Sequence, residues 1–154
     1  MAARRTIVPL ILLAALVLLV LVVLRLRSQP TGQALAYTSC TFAGPAMAID
    51  VSRIPVEDTL PVREHEEVHA GQCEDLGFAK MRLKNLTARG RLSLEAPAYC
   101  AGARARLRRG DDYTVTRERL FDDANAMFAG SLDSARVNAA LRQSCPELAR
   151  PRRR

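Results

Sequence analysis

Apolar residues are distributed along this chain in two different ways. Residues 7–24 (IVPLILLAALVLLVLVVL) hold no charged or polar side chain, whereas beyond residue 35 apolar positions recur at strand-like and helix-like spacings. As a helix the first run would cover about 27 Å, close to the hydrocarbon thickness of a bilayer, without the polar stripe of a core helix. Arg4 and Arg5 precede it, and Arg25 and Arg27 follow it. The pattern predicts a single transmembrane helix as an N-terminal anchor over 1–27. A cleaved signal peptide with Ala34-Leu35-Ala36 as its processing site is the competing reading. The apolar run is longer than a signal peptide needs, and an Arg-bearing spacer separates it from that site, so the uncleaved anchor is preferred.

After a polar Pro/Gly-containing linker at 28–34, residues 35–42 and 46–54 read as short strands punctuated by Gly44-Pro45 and ended by Pro55. Thr59 is a candidate cap for a helix over about 60–76 with Pro61 in its first turn, and Gly77 is its stop. A short helix follows at 79–89, with Met81, Leu83 and Leu86 as contacts, and Gly90 breaks it. The next spans 92–109, with Ser93 as cap, Pro97 near its first turn and Gly110 after its end. Asp111-Asp112 make a loop, and Thr116 caps a helix over 117–129 whose inner face is Leu120, Phe121, Ala124, Met127 and Phe128. Gly130 ends it, and Ser131 or Asp133 opens a last helix to about 144. These elements predict an α+β domain over 35–146, mostly helical with a small N-terminal β-hairpin or edge strand, followed by a basic tail at 147–154.

A chain of 154 residues allows one modest domain plus appendages. The formal net charge of +7 does not point to nucleic acid, because aromatics are 5% of the chain and the basic runs lack them. Arg104, Arg106, Arg108 and Arg109 end a predicted helix, where cations suit the dipole, and Arg150 and Arg152–Arg154 form the tail. Cys40, Cys73, Cys100 and Cys145 all follow the anchor. An even count suits two disulfides in an oxidising compartment, which places the domain on the extracytoplasmic side of the cytoplasmic membrane. No C-x-x-C is present, against a zinc ribbon or a thioredoxin-like redox site.

The candidate chemistry is concentrated in five residues. Both histidines of the chain lie in His65-Glu66-Glu67-Val68-His69, an H-E-x-x-H pattern. On a helix, i and i+4 stand on one face, so the two imidazoles can share a metal ion while the adjacent Glu66 reaches towards it. A third ligand must come from elsewhere. Glu74 and Asp75 lie further along the same helix, and Asp111, Asp112, Asp122 and Asp123 lie in polar stretches. Glu95 sits among small and apolar residues (Leu94-Glu95-Ala96-Pro97-Ala98-Tyr99-Cys100), where a carboxylate is usually paired or metal-bound because burying it alone is costly.

His65-Glu66-x-x-His69 followed by a Glu on a second helix resembles the gluzincin metallopeptidases, most closely their minigluzincin-like members. It is also similar to the zinc-peptidase domain of membrane-anchored beta-lactam sensor-transducers. The resemblance covers about 46–130. It implies that His65, His69 and Glu95 bind Zn²⁺, that Glu66 is the general base, and that an edge strand near 46–54 borders the cleft. No third histidine is present to stabilise an oxyanion, which leaves Tyr99, Tyr113 or Arg104 for that role. Four cysteines permit three pairings. The preferred one joins Cys73 to Cys100, stapling the two ligand-bearing helices, and leaves Cys40 with Cys145. Two function classes follow. One is a membrane-anchored zinc metallopeptidase acting on a peptide or protein substrate. The other is a non-enzymatic, disulfide-stabilised envelope interaction protein with a structural or vestigial metal site.

Overall fold

The computed structural model describes residues 16–18 and 35–149. Among the described residues no helix is long and apolar enough to cross a membrane. The transmembrane helix expected over 7–24, and the single-pass membrane location built on it, are therefore not supported. That expectation rested on hydropathy alone. Helix is described only for Leu16–Leu18, about 4.5 Å of rise, and the rest of 7–24, like the tail beyond Ala149, lies outside the described residues.

From Leu35 onward the chain is mostly helical, with one two-stranded antiparallel sheet. Strand β1 (Ala36–Thr41) pairs with β2 (Gly44–Ile49), Thr38 opposite Met47 and Cys40 opposite Pro45. Gly44 takes φ +112°, which an L side chain would resist, and so lets the chain reverse after Phe42 and Ala43. The second strand stops at Ile49 rather than near residue 54. Asp50 turns the chain instead, its carboxylate accepting from the Ser52 amide and hydroxyl.

Helix α1 spans Val56–Asn85 and contains the whole histidine motif. It begins directly after Pro55, so Thr59 is not its cap; the Thr59 hydroxyl donates back to the Pro55 carbonyl. Gly77, at φ +74° and ψ 164°, leaves the helical region, so α1 is two helical segments meeting at a kink, and the first stops at Gly77 as the sequence predicts. Helix α2 (Ala88–Arg109) is capped by Thr87, which accepts from the Gly90 amide, so the helix starts a turn before Ser93. Gly90 does not break a helix. It lies where a Cβ would come within 2.0 Å of the Lys84 carbonyl oxygen, and its lack of a side chain lets α1 and α2 join through a two-residue connection. At the other end of this antiparallel pair a Cβ on Gly102 would meet the Pro61 carbonyl at 3.1 Å. The two helices therefore run side by side at close range.

Helix α3 (Tyr113–Phe128) is capped by Asp112 rather than Thr116, and α4 (Ser134–Ser144) by Asp133. A single turn, α5 (Pro146–Ala149), follows. Leu92, Ala96, Leu120, Phe128, Val137 and Leu141 belong to the main core, where α2, α3 and α4 meet. A smaller core under the hairpin consists of Cys40, Cys73, Met81 and Leu94.

Each core contains one disulfide, Cys100–Cys145 in the larger and Cys40–Cys73 in the smaller. The expected Cys73–Cys100 and Cys40–Cys145 pairing is thus corrected. Helical geometry gives the reason: five residues from Glu95 to Cys100 turn about 140° round the axis, so a helix presenting Glu95 to α1 turns Cys100 away from it. Cys73 in turn reaches β1.

Candidate metal centre

The site is built where α1 and α2 face each other. His65 and His69, one turn apart on α1, bring their Nε2 atoms to 3.2 Å. Glu95, on α2, places one carboxylate oxygen 3.4 Å from His65 Nε2 and 3.5 Å from His69 Nε2. These three residues form a group that can hold a metal ion, and among the described residues no other such group occurs. The three ligand candidates read from the sequence therefore converge on one point. Their convergence does not depend on a disulfide; the close packing of α1 on α2 brings it about.

The electrostatics show how strongly this corner of the molecule favours positive charge. Burial pulls the His69 ring towards its neutral form, yet the Glu95 carboxylate, with help from Gln72 and Glu66, outweighs that and leaves its pKa raised. Burial also works against the charged form of Glu95. Hydrogen bonds from His65 and His69 win, and its pKa falls to about 2. A carboxylate held ionised among imidazoles is ready to share a cation.

Glu66 is more deeply buried than Glu95, with 7% of its surface exposed. Its Oε2 is fully buried and no described residue hydrogen-bonds it. An unmatched buried acceptor costs about 1–3 kcal/mol, a cost that a donor from outside the fold, such as water, would offset. Its backbone is held in place by β1, where the Thr38 hydroxyl donates to the Glu66 carbonyl at 3.1 Å. Glu67, next in sequence, points out to an ion pair with Arg63.

Tyr99 follows Glu95 by four residues and so shares its face of α2. Its ring stands edge-on to His65, centroids 5.1 Å apart. Burial, reinforced by the charges of Glu95 and Asp123, pushes its pKa up to about 12, so the phenol keeps its proton across the ordinary pH range. The hydroxyl donates to Met127 Sδ at 3.4 Å, a weak acceptor. The other two oxyanion candidates are elsewhere. Tyr113 donates to the Glu147 carbonyl at 2.7 Å, and Arg104 pairs with the Glu147 carboxylate and the Ser144 carbonyl.

Two cavities flank this constellation and share His65, Glu66, Tyr99 and Ala36 as walls. One, of 360 Å³, is faced by Pro61, Val62, Ala103 and Leu120, with Arg119 and Asp123 also in its wall. The other, of 310 Å³, runs past His69 and Glu95 to Met81, Leu94 and Met127. The strand bordering both is β1, through Ala36, and not the 46–54 segment expected beside the cleft. Residues 46–49 pair on the far side of β1, and 51–54 are not strand.

Sequence reasoning did not single out two residues that shape the site. Thr38 fixes the backbone at Glu66. Gln72 accepts from His69 Nδ1 at 3.0 Å and donates to the Leu94 carbonyl at 2.9 Å. The only sequence signal for Gln72 is its i+3 spacing from His69, which puts it on the adjoining helical row. Comparison of the chain with protein-family models, with characterised proteins and with solved structures gives no match.

Proposed function

We propose that this protein is a zinc-dependent hydrolase of the gluzincin kind that cleaves peptide bonds. The observation that carries this reading is the buried, unmatched Oε2 of Glu66 beside a ligand triangle with sides of 3.2, 3.4 and 3.5 Å. Tetrahedral zinc with ligand bonds of about 2.0–2.1 Å sets its ligand atoms about 3.3–3.4 Å apart. Two nitrogens and one oxygen suit zinc better than magnesium or calcium, which prefer oxygen. Three protein ligands are also the number found in catalytic zinc sites, whereas structural sites close with four. That count favours the peptidase reading over a purely structural metal.

Zinc, when bound, supplies Lewis acidity, polarising a carbonyl and acidifying water. The chain's own residues divide the remaining work. His65, His69 and Glu95 hold the ion. Glu66 takes the proton from the attacking water at its buried oxygen and returns it to the departing amine. Tyr99 keeps its phenolic proton and can turn from the weak Met127 contact to donate to the developing oxyanion. The β1–β2 register leaves the Ala36 and Thr38 backbone groups directed away from β2, an edge along which an extended peptide can pair.

The discriminating experiment uses the full chain with both disulfides formed. Glu66→Gln should retain zinc while hydrolysis of a quenched fluorescent peptide library falls by about 10²–10⁴-fold. If this variant binds zinc and cleaves as fast as the parent, the proposed base is wrong. If the parent binds zinc and cleaves nothing in the library, the metal is structural.

A further inference from the structure

We infer that Gln72 is a positioning residue of the metal centre, holding His69 in the one tautomer that leaves Nε2 free to ligate and fastening that ring to the backbone beside Glu95. This inference rests on the metal-site reading and adds to it a residue that touches neither metal nor substrate.

Donors and acceptors around Gln72 decide the tautomer of His69. The Leu94 carbonyl can only accept, so the Gln72 atom 2.9 Å from it must be the amide nitrogen. That fixes the amide's orientation and leaves its oxygen, an acceptor, facing His69 Nδ1 at 3.0 Å. His69 Nδ1 must therefore carry the hydrogen, and in the neutral ring Nε2 then presents its lone pair. Nε2 is the atom that lies 3.2 Å from His65 Nε2 and 3.5 Å from Glu95. A single side chain on α1 thus sets the proton arrangement of one ligand and grips α2 at the residue preceding another. The 2.9 Å bond to Leu94 crosses a sequence distance of 22 residues, and Leu94 is itself buried. The link is a fixed strut rather than a surface contact.

Two substitutions separate the parts of this role. Gln72→Leu removes both hydrogen bonds while keeping the bulk. Gln72→Glu keeps an acceptor for His69 Nδ1–H but has no donor for the Leu94 carbonyl. Zinc affinity should fall by about 10–100-fold in Gln72→Leu, and by less in Gln72→Glu, in competition with a chromophoric chelator. A second readout needs no metal. In the chelator-treated protein at alkaline pH, where both rings are neutral, ¹H–¹⁵N correlations should show His69 as the Nδ1–H tautomer in the parent and in Gln72→Glu. In Gln72→Leu, Nε2–H should become populated. A role confined to packing would weaken affinity in proportion to lost thermal stability and leave the tautomer alone. Unchanged affinity in both variants, or an unchanged tautomer in Gln72→Leu, overturns the inference while leaving the metal site standing. Absence of zinc binding in the parent chain overturns the metal-site reading and this inference with it.

Discussion

Glu66 and Tyr99 divide the proposed work around the metal between a buried base and a protonated donor, and each can be tested alone. Tyr99→Phe keeps the ring edge against His65 and removes only the hydroxyl. Zinc content should stay unchanged, and kcat should fall by about 10²–10³-fold if the phenol stabilises the oxyanion. Unchanged kcat would assign Tyr99 to packing. The pH dependence has a definite sign. His69 has a pKa raised above its ordinary 6.5, and zinc must displace its proton. Apparent affinity should therefore be level above the raised value and fall about tenfold per pH unit per displaced proton below it. Glu95, with its pKa lowered to about 2, stays ionised through that range and adds no proton of its own. Chelator competition between pH values on either side of the histidine range checks this; affinity that rises on acidification would contradict it.

At the level of single elements, the sequence made the ligand helix legible but not its exact partners. The i,i+4 histidines lie on one face of α1, and Glu95 and Tyr99, again i,i+4, lie on one face of α2. The same spacing would have chosen Tyr99 over Tyr113 as the residue near the metal. Local spacing sets the helix starts late, because Thr59, Ser93 and Thr116 stand close to the first apolar repeats. The true boundaries at Pro55, Thr87 and Asp112 lie one to two turns earlier, where Thr87 and Asp112 accept from the Gly90 and Val115 amides. Local spacing marks Gly90 as a breaker because close approach between helices is invisible in a local window. A direct consequence is that Gly90→Ala should be costly, since its Cβ would meet a backbone oxygen that cannot swing aside. Destabilisation of about 1–3 kcal/mol, with weaker zinc binding as α1 and α2 part, is expected from denaturant titration. A variant as stable as the parent would show that the connection has room to shift.

Over the molecule from Leu35 onward, two small cores, two disulfides and a band of ion pairs hold the ligand helices in place. Asp58 joins α1 to Arg106 at 2.6 Å and to Arg119 at 3.2 Å, and Glu64 pairs with Arg108. Part of the arginine run thus ties helices together, where the sequence suggests only cations suited to a helix dipole. Disulfide connectivity was illegible because it depends on which way each helix is turned. Mass mapping of unreduced peptides should find Cys40 with Cys73 and Cys100 with Cys145; a Cys73–Cys100 peptide would contradict the fold. Replacing Cys100 and Cys145 together by Ala should cost about 4 kcal/mol by loop entropy alone, for a sequence separation of 45. The most direct test of the metal centre is zinc per chain, measured by inductively coupled plasma mass spectrometry on the disulfide-intact full chain. One zinc per chain is expected, lost in His65→Ala and in Glu95→Ala alike. No zinc in the parent, or zinc retained in full by Glu95→Ala, would contradict the site.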